Sequence, residues 1–173
     1  ITKNGAGWVQ VQNSGGLAGF QGTLTINDGT FGNGFDLVGN WTGCTADVVV
    51  NGSGVLDLRT DDMSFDTLSG NGTVGNSYNI DGTNTLTLGT GNGTATFIGN
   101  IRGAGGGAND SSLDAGNIAL VKNGTGTQTL SGNNTYNGTT TINSGTLEIG
   151  GAGRLGGGSY ARNISINGTS TFL

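Results

Sequence analysis

Leu120-Val121-Lys122-Asn123-Gly124-Thr125-Gly126, followed by Tyr136-Asn137-Gly138-Thr139-Thr140-Thr141-Ile142-Asn143-Ser144-Gly145-Thr146-Leu147, is a phrase this chain uses twice. The first use opens the sequence as Ile1-Thr2-Lys3-Asn4-Gly5-Ala6-Gly7. It closes as Phe20-Gln21-Gly22-Thr23-Leu24-Thr25-Ile26-Asn27-Asp28-Gly29-Thr30-Phe31. The copies are offset by 119 residues at Lys3/Lys122 and by 116 at Gly29/Gly145, so the first copy carries three extra residues. Self-similarity of this kind marks stacked units rather than a closed globule. It argues for a scaffold and against a single catalytic cleft.

Composition narrows the class. Gly supplies 38 of 173 residues, Pro and His are absent, and charged residues make up 10%. Gly without a three-residue period, and without Pro, excludes collagen. Apolar residues alternating inside short runs argue against a disordered low-complexity chain. The net charge is −5, with only six scattered Lys and Arg residues. That excludes the basic footprint of a nucleic-acid binder and the basic amphipathic stretch of a membrane-surface segment. No apolar run reaches the roughly 20 residues of a membrane-spanning helix. Cys44 is alone, so no intrachain disulfide forms, and a small buried apolar role is expected of it. A Thr/Asn/Gly-rich, Lys-poor, nearly Cys-free chain fits an extracellular protein of a bacterial cell surface. No signal peptide is visible. The chain starts inside a repeat phrase and stops in an alternating run, so it reads as an excerpt of a longer polypeptide.

Helix periodicity is absent, whereas short alternating runs are frequent. Strands are expected at 23–26, 47–50, 54–58, 78–80, 85–88, 94–98, 117–121, 139–142, 146–149, 163–166 and 171–173. Between them an Ile or Val precedes Asn or Asp, with Gly within two residues. This recurs at Ile26-Asn27-Asp28-Gly29, Val50-Asn51-Gly52, Ile80-Asp81-Gly82, Ile142-Asn143-Ser144-Gly145 and Ile166-Asn167-Gly168. Asn, Asp and Gly accept positive φ and turn the chain sharply. The spacings from Asn27 to Asn51, Asn51 to Asp81 and Asn143 to Asn167 are 24, 30 and 24 residues, about one coil of a parallel β-solenoid. Asn-Gly hairpins building an antiparallel sandwich are the competing architecture. Strands of four or five residues and the long echo disfavour it. The fold class is therefore all-β, a β-solenoid of roughly seven or eight coils and about 35 Å at the parallel-strand spacing. One continuous segment spans 1–173, with repeat phrases at 1–32 and 118–150. Its partners begin with the flanking coils. Each end is expected to expose unpaired strand, so the isolated segment should be poorly stable or self-associate.

Arg59-Thr60-Asp61-Asp62 is the one cluster with the acids and base that a polysaccharide-cutting β-helix requires. With no His and no second acidic cluster, a solvated turn is the favoured role. Gly105-Gly106-Gly107-Ala108-Asn109-Asp110 is a single poor echo of a calcium nonapeptide. Zinc lacks His and paired Cys. No catalytic, metal or cofactor residue is assigned. Lys3 and Lys122 are expected to pack their stems along the turn with the amine in solvent. Thr-x-Thr occurs at 23/25, 85/87, 94/96, 139/141 and 169/171, at intervals too irregular to predict an aligned ice-binding rank. The stretches 102–112 and 150–159 are expected to leave the stack as loops that could carry partner contacts.

Lys122-Asn123-Gly124-Thr125-Gly126, Leu130-Ser131-Gly132, Asn134-Thr135-Tyr136, Gly138, Thr140, Ile142 and Gly145-Thr146-Leu147 together resemble the autotransporter-associated β-strand repeat; residues 3–31 resemble it more loosely. Gln128 stands where that pattern has an aliphatic residue, as at Val9, so its strand is expected to be less buried. The resemblance implies a right-handed parallel β-helix in the exported part of a large bacterial surface protein, with no translocator barrel in these residues. The function expected is a structural or adhesive stalk or scaffold, not an enzyme. Candidate partners are like chains in a fibre or matrix, or surface glycans and receptors. The alternative is a lyase or hydrolase using Arg59, Asp61 and Asp62.

Overall fold

The computed structural model describes residues 1–11, 16–34, 40–78, 82–103 and 113–173. Every strand pair in it is parallel. The strands wind into a β-helix with three faces. Face one stacks Thr2–Lys3, residues 23–26 of the long strand Thr23–Asn33, residues 47–50 of Asp47–Asp57, then Thr67–Gly70, Ala95–Phe97, Thr127–Leu130, Thr146–Ile149 and Thr171–Phe172. That makes eight rungs among the described residues. Face two carries Trp8–Val11, residues 30–33 and 55–57, Thr73–Gly75 and Asn100–Ile101. Face three carries Met63–Phe65, Thr83–Leu88, Asn117–Lys122, Thr140–Ile142 and Ile164–Ile166. No α-helix occurs among the described residues; Gly156–Gly158 forms one 3₁₀ turn.

Coil length is uneven. Thr2 pairs with Thr25, Thr25 with Val49, Val49 with Ser69, Gly70 with Phe97, Phe97 with Leu130, Leu130 with Ile149, and Leu147 with Phe172. The advances are thus 23, 24, 20, 27, 33, 19 and 25 residues. The 24-residue spacings at Asn27/Asn51 and Asn143/Asn167 are true coil lengths. The 30-residue step from Asn51 to Asp81 is not: the corner residue above Asn51 is Asn71, whose side-chain oxygen accepts the Gly52 N–H at 2.7 Å. Residues 80 and 81, and most of the strand expected at 78–80, lie outside the described residues.

The core is a set of inward columns, one residue per rung. Leu24, Val48 and Leu68 form one, Phe31, Leu56, Val74 and Ile101 another, and Met63, Leu86, Leu120 and Thr140 a third. All are buried. Period-two alternation sends every second side chain inward, which is why runs as short as Met63-Ser64-Phe65 contribute. Burying a Leu, Ile or Phe is worth about 1.5–3 kcal/mol, so stacking supplies the stability that four-residue strands lack alone. Column positions on the first and last rungs are open, with Val9 and Ile166 exposed. Cys44 is buried, as expected, and burial pushes its thiol pKa up.

One expected excursion is part of the stack. Arg154 makes a parallel bridge to Asn133, the Arg154 N–H donates to Gly132 O at 3.0 Å, and Leu155 is buried in the core. The Gly-rich stretch 150–159 therefore continues face two, since backbone pairing needs no side chains. The other expected loop, 102–112, lies outside the described residues from 104 onward. Arg102 before it pairs with Asp114 after it.

Candidate functional site

The Arg59-Thr60-Asp61-Asp62 cluster is tied into the fold by contacts to neighbouring coils. Arg59 adopts a left-handed φ of +55° and is buried. Its guanidinium lies 4.6 Å from the Trp8 ring centre and 5.9 Å from that of Tyr78, in the range of cation–π attraction. Its charge neighbour is Asp57, which sequence reasoning passed over. Asp57 is fully buried and accepts hydrogen bonds from the Ser77 N–H and hydroxyl and from the Arg59 N–H. Burial raises its carboxyl pKa. The Asp62 carboxylate is exposed and accepts the Thr85 N–H of the next coil at 2.6 Å, while Asp61 accepts the Thr60 hydroxyl at 3.3 Å. Arg59 thus turns toward Trp8 and Asp57, and Asp62 splints two rungs. Among the described residues no group of three His, Cys, Asp or Glu side chains is placed to hold a metal ion. No helix there is long and apolar enough to cross a membrane.

The two lysines overturn the expectation of a solvated amine. Lys3 stands in the inward column of Ile26 and Val50, and Lys122 in that of Leu88 and Ile142. Lys122 is 1% exposed. Its Nζ donates to Asn123 O at 2.5 Å, Gly124 O at 3.0 Å and Ser144 O at 3.5 Å. The Lys3 Nζ donates to Asn4 O at 3.3 Å, to Gly5 O and, at 2.9 Å, to Asp28 O. Each ammonium therefore ties its own turn to the turn of the next coil. Desolvation lowers the Lys122 pKa, opposed by the charge of Asp66. The sequence held a signal for this, because alternation with Leu120 puts Lys122 on the inward side.

Gln128 likewise departs from expectation. Its strand is not less buried; the side chain is 2% exposed. Thr67–Gly70 and Ala95–Phe97 pair at Gly70/Phe97 alone. The Gln128 amide reaches past Ala95 and replaces the missing backbone pairing. Its Nε2 donates to Leu68 O at 2.9 Å and its Oε1 accepts the Leu68 N–H at 3.1 Å. The partial separation opens a groove of about 560 Å³ on face one, whose walls include Asp47, Thr67, Ser69, Thr94 and Thr96. The Thr67 hydroxyl donates to Asp47 at 2.6 Å, and the Asp66 carboxylate is held by the Gly91 and Gly93 N–H groups.

The Thr-x-Thr pairs, irregular in sequence, sort into ranks. Thr23/Thr25, Thr67/Ser69, Thr94/Thr96 and Thr127/Thr129 belong to successive rungs of face one, interrupted by Asp47/Val49. Thr87, Val121, Thr141 and Ser165 line up on face three. Register across unequal coils, which sequence intervals do not report, produces this order.

A three-faced parallel β-helix with polar ranks outside belongs to the class of parallel β-solenoids. Comparison with known proteins agrees. Residues 120–149 match the passenger-associated-transport-repeat family. The chain is 36% identical over 155 residues to a protein named adhesin BmaC autotransporter from Brucella suis biovar 1 (strain 1330); the match covers 86% of this chain and 4% of that relative. This segment carries an autotransporter passenger repeat. No solved structure matches it.

Proposed function

We propose that this segment is an adhesive stalk element in the exported passenger of a bacterial surface protein, working by shape and surface rather than by turnover. Eight rungs at about 4.8 Å extend the passenger by roughly 35–40 Å, and parallel stacking makes that length rigid. The observation that carries the proposal is the eight-rung stack of face one, with hydroxyls on its outside and apolar columns beneath. The similarity to a protein named as an adhesin supports the adhesive part. The packing of Arg59 on Trp8 beside Asp57, and the bond of Asp62 to the Thr85 N–H, support a structural role for this cluster. Partners would be host or matrix glycans and receptors, with flanking coils of the same polypeptide at each end.

An in-frame deletion of the segment from its parent polypeptide tests this. Displayed on cells, the shortened passenger should lose reach by roughly 35–40 Å in electron micrographs and lose adherence. Unchanged adherence would remove the adhesive role. Release of new reducing ends from acidic polysaccharides by the purified chain, abolished by Asp61→Asn with Asp62→Asn, would replace the proposal with an enzyme.

A further inference from the structure

A second groove, of about 320 Å³, opens where the chain enters face three. Thr83, Asn117, Asn137, Gly138, Thr139 and Arg162 line it, drawn from four successive coils. Arg162 is exposed, and its position is built rather than incidental. The Arg162 Nε donates to Asn137 O at 2.8 Å and lies 3.0 Å from Asn137 Oδ1. Two residues earlier, the Tyr160 hydroxyl donates to Gly138 O at 2.7 Å and meets the Thr140 hydroxyl at 2.7 Å. That hydroxyl in turn meets Tyr136 at 2.9 Å. The Tyr160 and Tyr136 rings pack edge to face, with centres 5.7 Å apart. The segment bearing Arg162 is therefore pinned to the rung below it.

With Nε occupied, the two terminal nitrogens of Arg162 make no hydrogen bond among the described residues. A guanidinium fixed in this way presents the planar donor pair that suits a carboxylate. The remaining lining residues are Thr, Asn and Gly, whose polar groups are hydroxyls and amides. Beneath it the Asn117 side-chain oxygen is buried without a hydrogen-bond partner, an unmet acceptor at the floor of the groove. Among the described residues no carboxylate lines the groove. Such a mostly polar lining suits a polyhydroxylated ring bearing one carboxylate better than an apolar peptide side chain.

We infer that this groove binds a carboxylated sugar, a uronic-acid unit of an acidic glycan, with Arg162 receiving the carboxylate and Thr83, Asn137 and Thr139 the ring hydroxyls. The inference rests on the adhesive proposal, since it supplies that proposal with a contact. The test uses the passenger polypeptide that carries this segment, with glucuronate- and galacturonate-containing tetrasaccharides, measured by calorimetry or immobilised-glycan binding. The same oligosaccharides with their carboxyl groups reduced to alcohols, and an acidic tetrapeptide, serve as comparators. The acidic sugars should bind at least tenfold tighter than the reduced ones and the peptide. Arg162→Gln should abolish that preference, and Arg162→Lys should restore only part of it, with thermal unfolding unchanged in both. Equal binding of acidic and reduced sugars, tighter binding of the peptide, full binding by Arg162→Gln, or no binding of any acidic sugar at millimolar concentration would overturn the inference. If cells displaying Arg162→Gln adhere as well as wild type, the adhesive proposal stands and this site falls.

Discussion

The two copies of the repeat phrase build the same corner at different places on the rod. In the first copy the strand ending at Lys3 lies on face one and the chain turns onto face two at Trp8–Val11. In the second, the strand ending at Lys122 lies on face three and the chain turns onto face one at Thr127–Leu130. Locally the corners match. Asn27 Nδ2 donates to Asn4 Oδ1 at 2.9 Å and Asn51 Nδ2 to Asn27 Oδ1 at 3.0 Å. At the other corner Asn143 donates to Asn123 at 2.9 Å and Asn167 to Asn143 at 2.8 Å. Gly29 and Gly145 both sit at positive φ, +69° and +65°. Between the phrases the chain completes four coils and crosses two further faces. The phrase therefore specifies strand, corner and strand, and leaves the choice of corner to the lengths of the coils between.

The largest effect that would break this equivalence is at the paired glycines. A Cβ at Gly29 would stand 2.4 Å from Gly7 O, and one at Gly145 2.4 Å from Gly126 O. Strain at positive φ of about 1–3 kcal/mol adds to overpacking of about 1–3 kcal/mol. Gly29→Ala and Gly145→Ala should each cost at least about 2 kcal/mol, read locally by amide hydrogen exchange at the corner. One tolerant site and one intolerant site would show that the corners differ.

Next are Val9 and Gln128, equivalent in the phrase and opposite in environment. Gln128→Leu removes both partners of the Leu68 backbone and should cost about 2–3 kcal/mol in urea unfolding, at about 1–3 per lost partner. Val9→Gln, on an open rung, should stay within about 0.5 kcal/mol. A neutral Gln128→Leu would mean that the amide does not hold the separated strands.

Lys122→Met strips a donor from three carbonyls and should cost about 2 kcal/mol. Its pH signature is separate. Burial lowers the folded-state pKa of Lys122 below the ordinary 10.5, so just below 10.5 the unfolded chain binds more protons than the folded one. Stability should therefore rise with pH through that window in the wild type relative to Lys122→Met. Tyr136 and Tyr160, raised by burial above 10.0, act in the opposite sense at higher pH in both proteins. An identical slope in the two proteins would place the Lys122 amine in solvent. The smallest effect is on the ladders: Asn27→Ala and Asn143→Ala each remove two exposed side-chain bonds and should cost about 1 kcal/mol alike.

Repetition, alternation and the Asn-Gly turns determined by themselves that this chain is a stack of short parallel strands, because both periodicities are local and survive without knowledge of coil length. Most expected strands occur, and Cys44 went inside as its character required. The inward placement of Lys122 and Gln128 was also legible in their alternation with Leu120 and Leu130, though their polarity argued the other way. Only the tertiary structure decided which residues share a rung. Coils of 19 to 33 residues break any sequence interval, yet backbone pairing restores register. It thereby drew the threonines into ranks, set Arg59 against Trp8, tied Asp62 to Thr85, and brought Thr83, Asn137 and Arg162 to one groove. Pairing is made by backbone groups common to every residue, so side-chain identity alone could not announce it.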